Sequence, residues 1–179
     1  MTPPGNPGWS NEVQAFLDHW QSLRETGALM TSSARFLDNA GPRFMPNCYI
    51  VEVTPEGAIV RYQGTRLVAA WQHDFTGTEM HEGARAQYKA RSVSNMRLAV
   101  ERPCGHFGLY QFGKAGGQIM VAEYTSLPLA VQSGRPSRLV CLITPKGEQV
   151  EGRVASVKVT ALTWVDIGAG VPSDPPQAL

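Results

Sequence analysis

Apolar residues recur at helical spacing near the start of the chain, where Val13, Phe16, Leu17, Trp20 and Leu23 fall on one face. Ser10 or Asn11 supplies an N-cap and Gly27 lies just past the end, so an amphipathic helix is expected between them. Its apolar stripe carries Phe16 and Trp20 and must be covered by something. A second short helix is expected from Ser33 to about Phe44, interrupted at Gly41-Pro42. From Cys48 the period changes. Cys48 to Val53 and Ala58 to Tyr62 read as two strands around the turn residues Thr54-Pro55-Glu56-Gly57, which makes a hairpin.

After Gly64 the pattern is helical again, with Leu67, Val68 and Trp71 together. A long helix is expected from Glu79 to Glu101, with Ala86, Ala90, Val93, Met96 and Val100 along one face. Gly83 weakens its first turn and Pro103 follows its end. Strands return at Gly105 to Phe112, Gln118 to Ala130 and Arg138 to Thr144, joined by turns at 113–117 and 134–136. A polar connection, 146–152, leads to a β-branched run from Val157 to Val165 that ends at Gly168-Ala169-Gly170. Two leading strands, a helical insertion and a trailing meander predict an α+β fold with one sheet face buried against helices. Residues 1–9 and 173–179, rich in Pro, are expected to be disordered, 10–45 to form flanking helices and 146–172 an extra strand.

Composition narrows the function. The 179 residues are 42% hydrophobic and 17% charged with a formal charge of +1, so no polyanionic partner such as nucleic acid is indicated. Arg85, Lys89, Arg91 and Arg97 fall in one segment, best read as a solvated helix face. Cys48, Cys104 and Cys141 form no C-x-x-C pair and no metal-ligand spacing, and read as reduced thiols. The first residues have neither a basic start nor an apolar run, and no stretch approaches the about 18–20 apolar residues that span a bilayer. A soluble cytoplasmic protein without membrane contact is expected.

Several pieces, taken in order, resemble the PAS superfamily, in particular its short stand-alone bacterial members. They are Phe16-Leu17-Asp18-His19-Trp20-Gln21-Ser22-Leu23-Arg24, the strand Asn47 to Val53, and Arg61-Tyr62-Gln63-Gly64-Thr65-Arg66-Leu67 followed by Asp74-Phe75-Thr76-Gly77. Downstream come Glu123-Tyr124-Thr125-Ser126-Leu127-Pro128-Leu129 and the closing Trp164 to Pro172. The likeness spans about residues 12–172. One departure is Gln72, which stands about where the family has a glycine. The resemblance implies a five-stranded antiparallel sheet over 46–145, with helices from Thr65 to Glu101 closing a cavity over one face. It also implies a sensory or protein-interaction role in bacterial signalling, often as a dimer. It names no ligand and no cofactor.

If that cavity exists, its expected walls are Ile50, Leu67, Trp71, Phe75, Val93, Met96, Val100, Phe107, Tyr124 and Leu142, suited to a small apolar ligand. The competing reading is that these residues pack a filled core. Of the histidines His19, His73, His81 and His106, His81 or His73 would lie nearest a haem, but surface roles fit them better. The cysteine motif of flavin photosensors is missing. No G-x-S-x-G, H-E-x-x-H, P-loop or dinucleotide motif occurs, so no catalytic residue is assigned. Asp166 reads as a turn cap. The stripe Val13, Phe16, Leu17, Trp20 and Leu23 either folds back on the sheet or pairs with a second copy, and a homodimer through it is the expectation.

Overall fold

A computed structural model describes residues 8–131, 137–147 and 152–177. The turn expected at 134–136, most of the N-terminal stretch and part of the 146–152 connection lie outside these residues. The first helix, α1 (Asn11–Ser22), starts where Ser10 accepts the Val13 N–H on its hydroxyl at 3.4 Å. The Ser10 N–H itself donates to Glu123 Oε1 at 3.2 Å, which ties the start of α1 to the middle of the sheet. Two residues, β1 (Thr31–Ser32), precede α2 (Ser33–Asn39), capped by Ser32, and α3 (Gly41–Phe44), which begins at Gly41-Pro42. The hairpin follows as β2 (Cys48–Val53) and β3 (Ala58–Gln63). Then come α4 (Thr65–Trp71) and α5 (Ala86–Glu101). Four strands complete the chain: β4 (Gly105–Lys114), β5 (Ile119–Ala130), β6 (Arg138–Pro145) and β7 (Val154–Val165).

All strands join one seven-stranded sheet with the path β3-β2-β6-β5-β4-β7, antiparallel throughout that path. The short β1 pairs parallel with Leu129 and Ala130 of β5, beyond the point where β4 ends. The extra strand expected near the end of the chain is β7, placed beside β4. The long helix is shorter than the spacing predicted: residues 79–85 are turns, with His81 and Gly83 both at positive φ.

Helices cover both faces of the sheet, not one. Because side chains alternate along a strand, each strand serves two cores. One contains Tyr49, Val51, Tyr110, Phe112, Tyr124, Cys141 and Ile143 beneath α4 and α5. The other contains Cys48, Ile50, Leu127, Leu129, Val140 and Leu142 beneath α1 and α2. Val13, Phe16, Leu17, Trp20 and Leu23 all belong to that second side, and Trp20, 0% exposed, donates its indole N–H to Pro128 O at 3.1 Å. The stripe read as a dimer surface is therefore consumed within the chain: the sheet needed the cover that a partner helix would otherwise have supplied.

The two sheet edges differ. Along β3, the segment after α4 shields the edge, with Val60 and Thr78, Val60 and Gly77, and Ala58 and Met80 joined through main-chain hydrogen bonds. Among the described residues no strand pairs beyond β7.

Two backbone positions hold the hinge between β3 and α4–α5. A Cβ on Gly64 would stand 2.2 Å from Met45 O and 2.4 Å from Pro46 O, because the chain there runs against the 45–47 turn and donates its N–H to Cys48 O. Gln72 ends α4 in the left-handed region at φ 53°. Chemical denaturation should therefore separate the two. Gly64→Ala should cost at least about 2 kcal/mol by steric overlap with rigid backbone. Gln72→Gly should raise stability by about 0.5–1 kcal/mol by relieving the left-handed strain.

Candidate functional site

Between α5 and the sheet lies a small cavity of about 20 Å³, lined by Tyr49, His81, Ser92, Asn95, Met96 and His106, with Tyr110, Tyr124 and Leu162 completing it. Six of the nine lining residues follow from the periodicity of α5, β4 and β5. On α5, Ser92, Asn95, Met96 and Ala99 occupy the buried face at i, i+3, i+4 and i+7. On β4, His106, Tyr110 and Phe112 point to the same side as Tyr124 of β5. The walls are thus mostly polar aromatic groups, with little aliphatic surface.

A hydrogen-bond chain runs under the cavity. The Tyr124 hydroxyl donates to Cys141 Sγ at 3.3 Å, and the Cys141 thiol to Ser126 Oγ at 3.6 Å. Tyr124 has then spent its proton, so the 3.2 Å contact with His106 Nε2 makes the imidazole the donor. His106 is left with a bare acceptor at Nδ1, buried and with no partner among the described residues. Tyr88 OH and Trp71 Nε1 are likewise buried and unpartnered. His81 reaches Ser92 Oγ at 2.8 Å and packs edge-on to Tyr88.

Burial sets the charges. It lowers the His106 imidazole to about 4, and burial followed by Lys89 lowers His81 to about 4, so both rings are neutral near pH 7. Burial likewise raises the Tyr49, Tyr110 and Tyr124 phenols well above the usual range. The groups lining the cavity are therefore neutral near pH 7. All three cysteines are free and buried, with Cys48 and Cys141 raised by burial and Cys104 pushed up to about 11 by burial and Asp166. Thiols so raised are poor nucleophiles. Among the described residues no three His, Cys, Asp or Glu side chains stand together as a metal site.

Of the ten wall residues read from the sequence, Met96 and Tyr124 line the cavity. Leu67 and Val93 belong to the same core, and Trp71 and Val100 pack against it. Phe75 stacks edge-on against Trp71 at 6.1 Å, at the rim. Ile50 and Leu142 point into the opposite core, and Phe107 packs there with Val13 and Val165. For these three the correction has one cause: a one-residue error of phase moves a strand side chain to the other face. His73 is exposed and lies against Phe75, while His81 lines the cavity. Sequence reading missed Tyr49, Ser92, Asn95, His106, Tyr110 and Leu162. The available signal was the polar pair Ser92 and Asn95 in phase with Met96 and Ala99. No helix is long and apolar enough to cross a membrane among the described residues. Compared with protein-family models and with curated proteins, the chain matches none.

The buried histidine makes stability depend on pH. In the unfolded chain His106 takes up a proton below its ordinary 6.5, whereas in the fold it stays neutral to about 4. Stability should be insensitive to this group above pH 6.5, fall between 6.5 and about 4, and level off below. The loss is on the order of 3 kcal/mol. Thermal melts across that window should show a shallower slope in His106→Gln, with His81 supplying part of what remains.

Proposed function

We propose that the protein is a non-enzymatic sensory or regulatory module of PAS type, which takes a small neutral molecule into the cavity under α5 and passes the event to a protein partner. His106 carries this reading: it lines the cavity, and its Nδ1 is a buried acceptor without a partner among the described residues, at a cost of about 1–3 kcal/mol that a donor could return. The path β3-β2-β6-β5-β4, interrupted by α4 and α5 over one face, supports the PAS reading of the fold. The polar lining favours a hydrogen-bond donor over the apolar ligand that the sequence suggested. The raised thiols of Cys48 and Cys104 are poor nucleophiles, in keeping with this reading.

The volume supports a second reading. About 20 Å³ accepts a single water-sized group, so a closed interaction domain with a filled core explains the cavity as it stands. The two readings separate on one experiment. Native mass spectrometry of the purified chain, with a thermal-shift screen of small polar metabolites, should yield a compound that stabilises the fold by about 2.7 kcal/mol at a hundredfold excess over its Kd. That shift should disappear in His106→Phe. A chain that carries no adduct and responds to no compound is the interaction domain.

A further inference from the structure

After β7 the chain reverses. Asp166 Oδ1 accepts the N–H groups of Gly168 at 2.7 Å and Gly170 at 3.0 Å, and both glycines sit at positive φ. The chain then runs back from Val171 to Gln177 over β7 and α5, a stretch that composition alone marks as disordered. Five hydrogen bonds hold it. Arg102 Nη1 donates to Val171 O at 2.9 Å, and the Trp164 indole N–H to Asp174 O at 2.8 Å. Asn95 closes on Gln177 from both sides: its Nδ2 donates to Gln177 O at 3.0 Å and its Oδ1 accepts the Gln177 N–H at 2.9 Å. Gln177 Nε2 donates to Ser94 Oγ at 3.2 Å.

Four of these five bonds go to main-chain atoms of the segment. Asn95 is 2% exposed on the buried face of α5, a place where an amide is costly unless both its groups are used. Its whole hydrogen-bonding capacity along one edge is spent on one N–H and C=O pair of an extended chain. The segment reads Val-Pro-Ser-Asp-Pro-Pro-Gln, and its three prolines fix φ and lower the entropy lost on docking. Nothing in the bonds at Asp174 or Val171 requires those side chains.

We propose that the groove formed by Ser94, Asn95, Arg102 and Trp164 is a peptide site that reads the main chain of an extended, proline-containing segment. Residues 171–177 fill it in cis and exchange with a like segment of a partner protein. This goes beyond ligand uptake in the cavity and does not depend on it. The two sites share Asn95, which also lines the cavity.

The test uses the full chain. A capped peptide of sequence Val-Pro-Ser-Asp-Pro-Pro-Gln is titrated into the ¹⁵N-labelled protein, and the Gln177 amide and Trp164 indole are followed by NMR. A tethered segment competes at an effective concentration in the millimolar range, so about 5 mM peptide should release about half of it. The Gln177 amide should then move to its unstructured position while the Trp164 indole keeps its bound shift. The same peptide N-methylated at its glutamine should be about tenfold weaker, because one hydrogen bond is lost. Asn95→Ala should release Gln177 without any peptide. An unmoved Gln177 amide at that concentration, or equal potency of the methylated peptide, overturns the proposal. Both readouts concern the groove alone, so a failed ligand screen leaves this result standing, and the reverse.

Discussion

Everything in this fold follows from the burial of β5 and β6 on both faces. A strand buried on one side needs one layer of cover, but Leu127, Leu129, Val140 and Leu142 face one way while Ala122, Tyr124, Cys141 and Ile143 face the other. The sheet consequently requires two sets of helices, one from the start of the chain and one inserted between β3 and β4. The first set, α1 to α3, arrives before any strand of the hairpin and is fastened by Trp20 to Pro128 O and by Ser10 to Glu123. Glu123, 0% exposed, is paired with Lys146 at 3.1 Å as well, so the carboxylate at the centre of β5 is held by a helix start and a neighbouring strand's end. Losing the Trp20 side chain would open a cavity worth about 3–5 kcal/mol in the middle of that arrangement.

The two covers are chemically unlike. Beneath α1 the contacts are aliphatic and aromatic, with Phe16 edge-on to Phe36 and Phe44. Beneath α5 they include three tyrosines, two histidines, a serine and an asparagine. Burial of so many polar groups is tolerable because most are linked; among the cavity's lining residues only His106 keeps an unpartnered buried atom. Neutral rings and raised phenols keep the space free of charge. The side beneath α1 is oily, and the side beneath α5 is more polar.

That difference explains what could be read from the sequence. The order of elements was legible because period changes from 3.6 to 2 and Gly-Pro punctuation are local signals. α1 and β2 appear where Val13 to Leu23 and Cys48 to Val53 place them. The cavity was much less legible. Apolar residues were sought for its wall, and Ile50, Phe107 and Leu142 fit that search while pointing away. His106 and Asn95 owe their roles to partners far along the chain, Tyr124 and Gln177, and no local pattern carries such a pairing. Gln177 shows the same limit from the other side: proline-rich composition predicts disorder, yet an asparagine 82 positions earlier gives the segment a place to bind.

The unequal sheet edges carry one more consequence. Because residues 77–80 close the β3 edge, lateral growth of the sheet has one direction only, past Val154–Val165. A sheet with two open edges can polymerise, each copy offering a second edge to the next. With one, pairing exhausts itself at two chains: the first partner to dock on β7 is also the last, and its own β3 is shut. Among the described residues, strand addition to this sheet has one place to occur, beside β7.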